Sequence, residues 1–193
     1  MVMTISKTLY IKYMVCKCCI KVIRQELENN DIEVKRIILG EADIIYDETK
    51  ITDTEIERIL NTNGFELVTN KEKILVEQIK TAVIELVHMA NNMNSIIRNS
   101  DYLVEKLGYS YQHLSGIFSK YEENTLEKYI ILHKIEKVKE MIEYGELTLS
   151  EIAFSMGYSS VQYLSTQFKT ITGISVSDYK KNPNVERKVL NEI

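Results

Sequence analysis

Residues 148–181 read TLSEIAFSMGYSSVQYLSTQFKTITGISVSDYKK. Thr148-Leu149-Ser150-Glu151 has the form of a capping box, with Thr at the cap and Glu three residues on. It predicts a short helix with Ile152 and Met156 inward. Gly157 closes that helix, and a second one follows with Leu164 and Phe168 as its apolar anchors. Two short helices joined at a glycine turn make a helix–turn–helix, whose second helix enters the DNA major groove.

Upstream, Leu103–Phe118 (LVEKLGYSYQHLSGIF) repeats the same plan, with Leu103, Leu107, Leu114 and Phe118 as its core. Gly-Tyr-Ser stands at 108–110 and again at 157–159. Gly108 to Leu114 is six positions, whereas Gly157 to Leu164 is seven. Tyr109, Tyr129, Tyr158 and Tyr179 read as core anchors. Between the units, Thr125–Tyr144 is helical in pattern; at 1.5 Å per residue it spans roughly 30 Å. That approaches the ~34 Å of one DNA turn, so two recognition helices held this far apart meet successive major-groove segments. A further helix is expected from Lys71 to Asn91, with Ile74, Leu75, Ile79, Val83, Leu86 and Val87 as its stripe.

Residues 74–181 resemble the AraC/XylS-type DNA-binding domain over its whole length. The second unit carries IA, GY, F, TG and the late Tyr of that family's signature. The resemblance implies double-stranded DNA as partner. It places Tyr111, Gln112, Ser115 and Gly116 of the first recognition helix toward the groove. In the second it places Ser160, Val161, Gln162, Ser165 and Thr166 there. Gln suits adenine, Ser several base edges, and Val161 a thymine methyl. Many family members carry Arg where Gly116 and Thr166 stand, and Gly where Glu123 stands. Weaker or more A·T-directed binding is therefore expected, helped by homodimer formation. Phosphate-contact candidates are Lys106, Lys120, Lys134, Lys169, Lys180 and Lys181, with Lys169 foremost.

The chain changes character near residue 70, so we expect domains at 1–70 and 71–193. Strands are predicted at Thr8–Tyr13, Ile32–Leu39 (Ile32, Val34 and Ile38 inward), Ala42–Tyr46 and Phe65–Val68. Helices are predicted at Cys19–Asn29 and after the capping box Thr52–Glu55. The order βαββαβ is that of a ferredoxin-like α+β domain, followed by an all-α double helix–turn–helix domain. Cys16, Cys18 and Cys19 cluster between the first strand and first helix. Cys16 and Cys19 form C-x-x-C at a helix N-terminus, where thiolate is favoured. Two thiolates suit a soft ion such as Cu(I), and such a pair also closes to a disulfide. Residues 8–68 resemble heavy-metal-associated (HMA) domains: Met14-Val15-Cys16-Lys17-Cys18-Cys19 stands where that family has Met-Thr-Cys-x-x-Cys, and Gly64-Phe65 matches its Gly-Tyr/Phe. The resemblance makes Cys16 and Cys19 the metal ligands and Met14 a plug beneath the loop. Tyr13 and Val15 depart from that family's usual Gly and Thr or His.

The 193 residues are 45% hydrophobic and 27% charged, with net charge −4. That balance argues against wholesale electrostatic binding of nucleic acid, though not against one local reading face. An odd cysteine count is not a disulfide framework. No apolar run approaches the ~20 residues that span a bilayer. The N-terminus lacks a signal peptide's apolar core, so a cytoplasmic protein is expected. His88, His133 and His113 read as separate structural or surface residues, and no nucleophile–base or paired-carboxylate pattern suggests an enzyme. The expectation is a transcription regulator controlled by a soft metal or thiol oxidation. Its rival is a metal-handling protein whose helical half docks a partner protein.

Overall fold

A computed structural model describes residues 4–89, 99–181 and 187–193. The chain separates into two compact units, Met1–Thr81 and Ala82–Ile193.

The first unit runs β1 (Thr4–Lys12), α1 (Lys17–Glu28), β2 (Glu33–Ile38), β3 (Glu41–Asp47), α2 (Asp53–Thr62) and β4 (Glu66–Leu67). The sheet order is β2-β3-β1-β4, and every neighbouring pair is antiparallel. This is the ferredoxin-like arrangement expected from the order of elements. Alternation along β1 and β3 buries Leu9, Ile11, Ala42, Ile44 and Tyr46 beneath the helices. From α1 and α2 come Ile23, Leu27, Ile56, Ile59 and Leu60. The Thr52 capping box forms, with Glu55 reaching back to the Thr52 backbone. In β2 the inward residues are Val34 and Ile37, whereas Ile38 is 39% exposed, contrary to the simple alternation. A register shift between Val34 and Arg36 is the cause. One extra residue in a strand sends every later side chain to the opposite face.

Helix α3 (Lys71–Ile84) follows β4 and carries the chain past Thr81. A single π-helical turn, Glu85–Met89, succeeds it; the last two residues of the helix expected to reach Asn91 lie outside the described ones. The second unit continues as α4 (Asn99–Leu107), α5 (Tyr111–Tyr121), α6 (Leu126–Tyr144), α7 (Leu149–Ser155), α8 (Val161–Thr172) and α9 (Val176–Lys181). Its core is Leu103, Leu114, Phe118, Tyr129, Ile135, Val138, Ile152, Leu164, Phe168 and Tyr179. Phe118 packs on Tyr129 and Phe168 on Tyr179, with ring centroids 5.1 and 5.4 Å apart. No helix among the described residues is long and apolar enough to cross a membrane.

Candidate nucleic-acid interface

The two helix pairs α4–α5 and α7–α8 are built alike. Gly108 and Gly157 sit in the turns at φ of 74° and 70°, a left-handed conformation that a side chain disfavours. Ser110 then caps α5, accepting from His113 N at 3.3 Å. Ser160 caps α8, accepting from Tyr163 N at 3.1 Å. Each recognition helix buries its fourth and eighth residues, Leu114 and Phe118 in one, Leu164 and Phe168 in the other. Exposure along residues 111–120 and 161–170 follows the same order position by position.

This equivalence locates the additional residue counted between Gly157 and Leu164. Ser110 corresponds to Ser160, not Ser159. The additional residue of the second unit lies in its turn, ahead of the cap, and leaves the helix itself unchanged. Tyr109 is 48% exposed, so it is a turn residue rather than the core anchor expected. Tyr158 is half-buried, and its hydroxyl donates to Gln167 Oε1 at 2.7 Å.

The residues assigned to the groove fall as follows. Gln112 and Gln162 are equivalent, each the second residue of its helix, and both are exposed; Gly116 and Thr166 are equivalent and exposed. Ser115 and Ser165 are equivalent and half-buried, as are Tyr111 and Val161. Ser160 is exposed but engaged as a cap. Thr166 Oγ1 donates to the Gln162 carbonyl at 2.9 Å, so it is turned along its own helix. Lys169 is exposed near the end of α8. The side chain of Tyr111 bonds Glu127, which with burial raises its phenol well above the ordinary value.

Central helix α6 is tied to both helix pairs, α4–α5 and α7–α8. Thr125 caps it, Glu127 reaches the first recognition helix, and Lys134 Nζ donates to the Met156 carbonyl at 2.9 Å. Lys134 therefore closes the C-terminal end of α7. These polar ties escaped the sequence reading, which treated Lys134 simply as one of six candidate lysines. The spacing of Glu127, Ile130, Ile131 and Lys134 along one helix face was the available signal.

In the first unit, Cys16 and Cys19 bring their sulfurs to 3.4 Å at the start of α1, and all three cysteines are free thiols. Burial raises the Cys16 thiol, but hydrogen bonds from the backbone and side chains of Cys19 and Cys18 outweigh it and leave it below its ordinary value. Burial, aided by the neighbouring Cys16 sulfur, leaves the Cys19 thiol above its ordinary value. Met14 is 3% exposed and its sulfur accepts from Gly40 N at 3.3 Å, so it is a plug beneath the loop. No group of three or more His, Cys, Asp or Glu side chains converges on a common point among the described residues. Two sulfurs alone suit a soft ion of low coordination number and do not make a closed tetrahedral zinc site.

A family model described as a helix-turn-helix domain matches residues 103–182. An "AraC-like transcription regulator" of Streptomyces lividans is 36% identical over 58 residues, 30% of this chain and 19% of that one. The Msm operon regulatory protein of Streptococcus mutans is 28% identical over 109 residues, 56% of this chain and 37% of that one. The F1 operon positive regulatory protein of Yersinia pestis is 27% identical over 96 residues, 50% of this chain and 32% of that one. The matches thus span well under half the length of these relatives, and the family match begins beyond the four-stranded sheet. Residues 103–182 thus form a helix–turn–helix domain similar to part of AraC-like transcription regulators.

Proposed function

We propose that the protein is a DNA-binding transcription regulator, not an enzyme, that reads double-stranded DNA through α5 and α8. One observation carries this reading: two helices, each anchored by a buried Leu and Phe, offer matching exposed faces with Gln at the same place, Gln112 and Gln162. Gln at such a position pairs with adenine N6 and N7. Tyr111, Ser115, Gly116, Val161, Ser165 and Thr166 border these glutamines, Ser160 fixes the start of α8, and Lys169 supplies a phosphate contact. A homodimer would double these contacts and offset the Arg absent at Gly116 and Thr166.

The test is duplex binding by the full chain across a salt series, on A·T-rich and random DNA. A reader of this kind loses affinity linearly in log[salt] and prefers A·T-rich sites. Replacing Gln112 and Gln162 by Ala abolishes the preference and leaves the salt slope in place. Absence of duplex affinity at low salt would favour the rival reading, in which the helical part docks a protein.

The first unit is proposed as the input. The 3.4 Å separation of Cys16 and Cys19 supports capture of a soft ion such as Cu(I), or closure to a disulfide when a two-electron oxidant such as a peroxide or a disulfide takes two electrons and two protons from the thiols. Either event couples to DNA only through a difference in affinity between two states of the protein. Operator binding by Cys16→Ser with Cys19→Ser, measured reduced, oxidised and copper-loaded, decides it; a response identical to the unaltered chain refutes thiol control.

A further inference from the structure

A cleft of about 410 Å³ opens between the two helix–turn–helix units. Its floor is one face of α6, running from Glu127 through Ile130 and Ile131 to Lys134, and its walls include Tyr111 of α5 and Tyr163 of α8. Both recognition helices therefore border it. Most cations around α6 are already paired. Lys137 meets Glu140 at 2.5 Å, Lys139 meets Glu136 at 2.7 Å, and Arg187 meets Glu140 at 2.8 Å. Lys134 differs. It is half-buried, donates to the Met156 carbonyl, lies 5.6 Å from the Tyr158 ring centroid, and forms no ion pair among the described residues. Burial lowers its pKa, with no carboxylate to oppose the effect. Glu127, the acid at the other end of the floor, is seven residues away and bonded to Tyr111. At 1.5 Å per residue that is about 10 Å along the helix.

A partly desolvated ammonium without a counter-charge is an anion site, and a charge there is screened less than one in open solvent. Two recognition helices in successive major-groove segments on one face of a duplex leave the intervening minor groove, with its two phosphate strands, opposite the space between the units. We propose that Lys134 is a phosphate anchor and that this cleft seats a backbone phosphate from the stretch of DNA between the two segments being read. The inference rests on the DNA-reading function proposed above and adds to it a defined contact outside the recognition helices. The same ammonium closes α7, so the contact also ties the backbone of the DNA to the setting of α8.

The experiment uses the full chain and the tightest duplex recovered from a random-library selection. Single methylphosphonate linkages, which remove one phosphate charge each, are placed in turn across the segment between the two read sites. The unaltered protein loses about tenfold in affinity at one or two central linkages. Lys134→Met binds the unmodified duplex about tenfold more weakly, shows no further loss at those linkages, and has a salt slope smaller by about one contact. Lys134→Arg retains the sensitivity, and thermal melts of both variants verify folding. Insensitivity of the unaltered protein to every central linkage overturns the anchor. So does a Lys134→Met protein as sensitive as the unaltered one, because Lys134 then merely closes α7. If the chain binds no duplex at any salt, the DNA-reading function falls and takes the anchor with it.

Discussion

Acid should destabilise the second unit through a half-buried and a buried histidine, His88 and His133. His88 Nε2 and His133 Nδ1 lie 3.1 Å apart, one ring donating and the other accepting. His133 is fully buried, with Tyr129 edge-on at 4.5 Å between ring centroids, and its Nε2 has no hydrogen-bond partner among the described residues. Burial pushes His88 down to about 4; Lys137 and Arg187 add to the effect and Glu140 opposes it. Burial and the His88 ring push His133 down to about 3. Both folded values lie below the ordinary 6.5, so the unfolded chain binds more protons throughout the interval between. Stability is therefore complete above pH 7 and falls as pH drops from 6.5 toward 4 for His88 and toward 3 for His133. At pH 5 an ordinary imidazole is almost wholly protonated, about 1.5 log units of proton binding refused by each folded ring. At about 1.4 kcal/mol per log unit, that costs about 2 kcal/mol per ring and about 4 for the pair. The figure depends only on both folded values lying below 5. It is a large fraction of the roughly 5–15 kcal/mol of a typical domain. Urea unfolding of the full chain at pH 7.5, 6.5 and 5.0, followed by tyrosine fluorescence, measures it. The variant carrying His88→Gln and His133→Phe should lose most of the acid sensitivity. If its midpoint falls with acid as steeply as that of the unaltered chain, the pair is not what acid attacks.

Three substitutions probe local features. Tyr13 has φ of 69°, a conformation costing a non-glycine residue about 1–2 kcal/mol; Tyr13→Gly should raise stability by up to about 1 kcal/mol, read as a higher melting temperature. Thr148→Ala removes the cap in which Thr148 and Glu151 satisfy each other's backbone, and should cost about 1 kcal/mol by denaturant titration. Phe168→Ala, at a fully buried ring against Tyr179, should cost about 3–5 kcal/mol and abolish duplex binding under conditions where the first unit remains folded by circular dichroism.

What the sequence revealed was local or periodic. The capping boxes at Thr52 and Thr148 depend on residues three apart, and both formed. The repeat around Gly108 and Gly157 exposed two helix pairs because burial of Leu and Phe at helical spacing leaves a regular trace. The outward turn of Ile38 left no such trace, since the bulge that causes it is set by the pairing of β2 with β3. His88 and His133 are 45 residues apart, joined by packing of α6 against the π-helical turn. Lys134 looked like any surface lysine until the carbonyl it meets, 22 residues on, was placed beside it. Within the interface, the spacing from each glycine to its Leu anchor already aligned Ser110 with Ser160, whereas their capping role became visible only in the hydrogen bonds each accepts.

The net charge of −4 opposes DNA binding by the chain as a whole, but the acids are unevenly placed among the helix starts. Acidic residues occupy the first turns of α2, α3, α4, α6, α7 and α9. They are absent from the first turns of α1, α5 and α8. An acidic side chain there would stabilise each helix by about 0.3–1 kcal/mol through the helix dipole. Forgoing it leaves a positive helix end bare, beside the thiols in α1 and beside the residues proposed above to read bases in α5 and α8. Stability and binding should then respond with opposite signs to one change. Gln112→Glu with Gln162→Glu should raise the melting temperature slightly, yet weaken duplex binding by at least about tenfold per site, because each Glu lacks the amide N–H that would donate to adenine N7 and sets a negative charge among phosphates. Thr54→Glu, in the first turn of α2, should share the stabilisation without the loss of affinity. If the double variant binds the selected duplex as tightly as the unaltered chain at low salt, then α5 and α8 do not enter the groove by their N-terminal ends, and their lack of carboxylates has another cause.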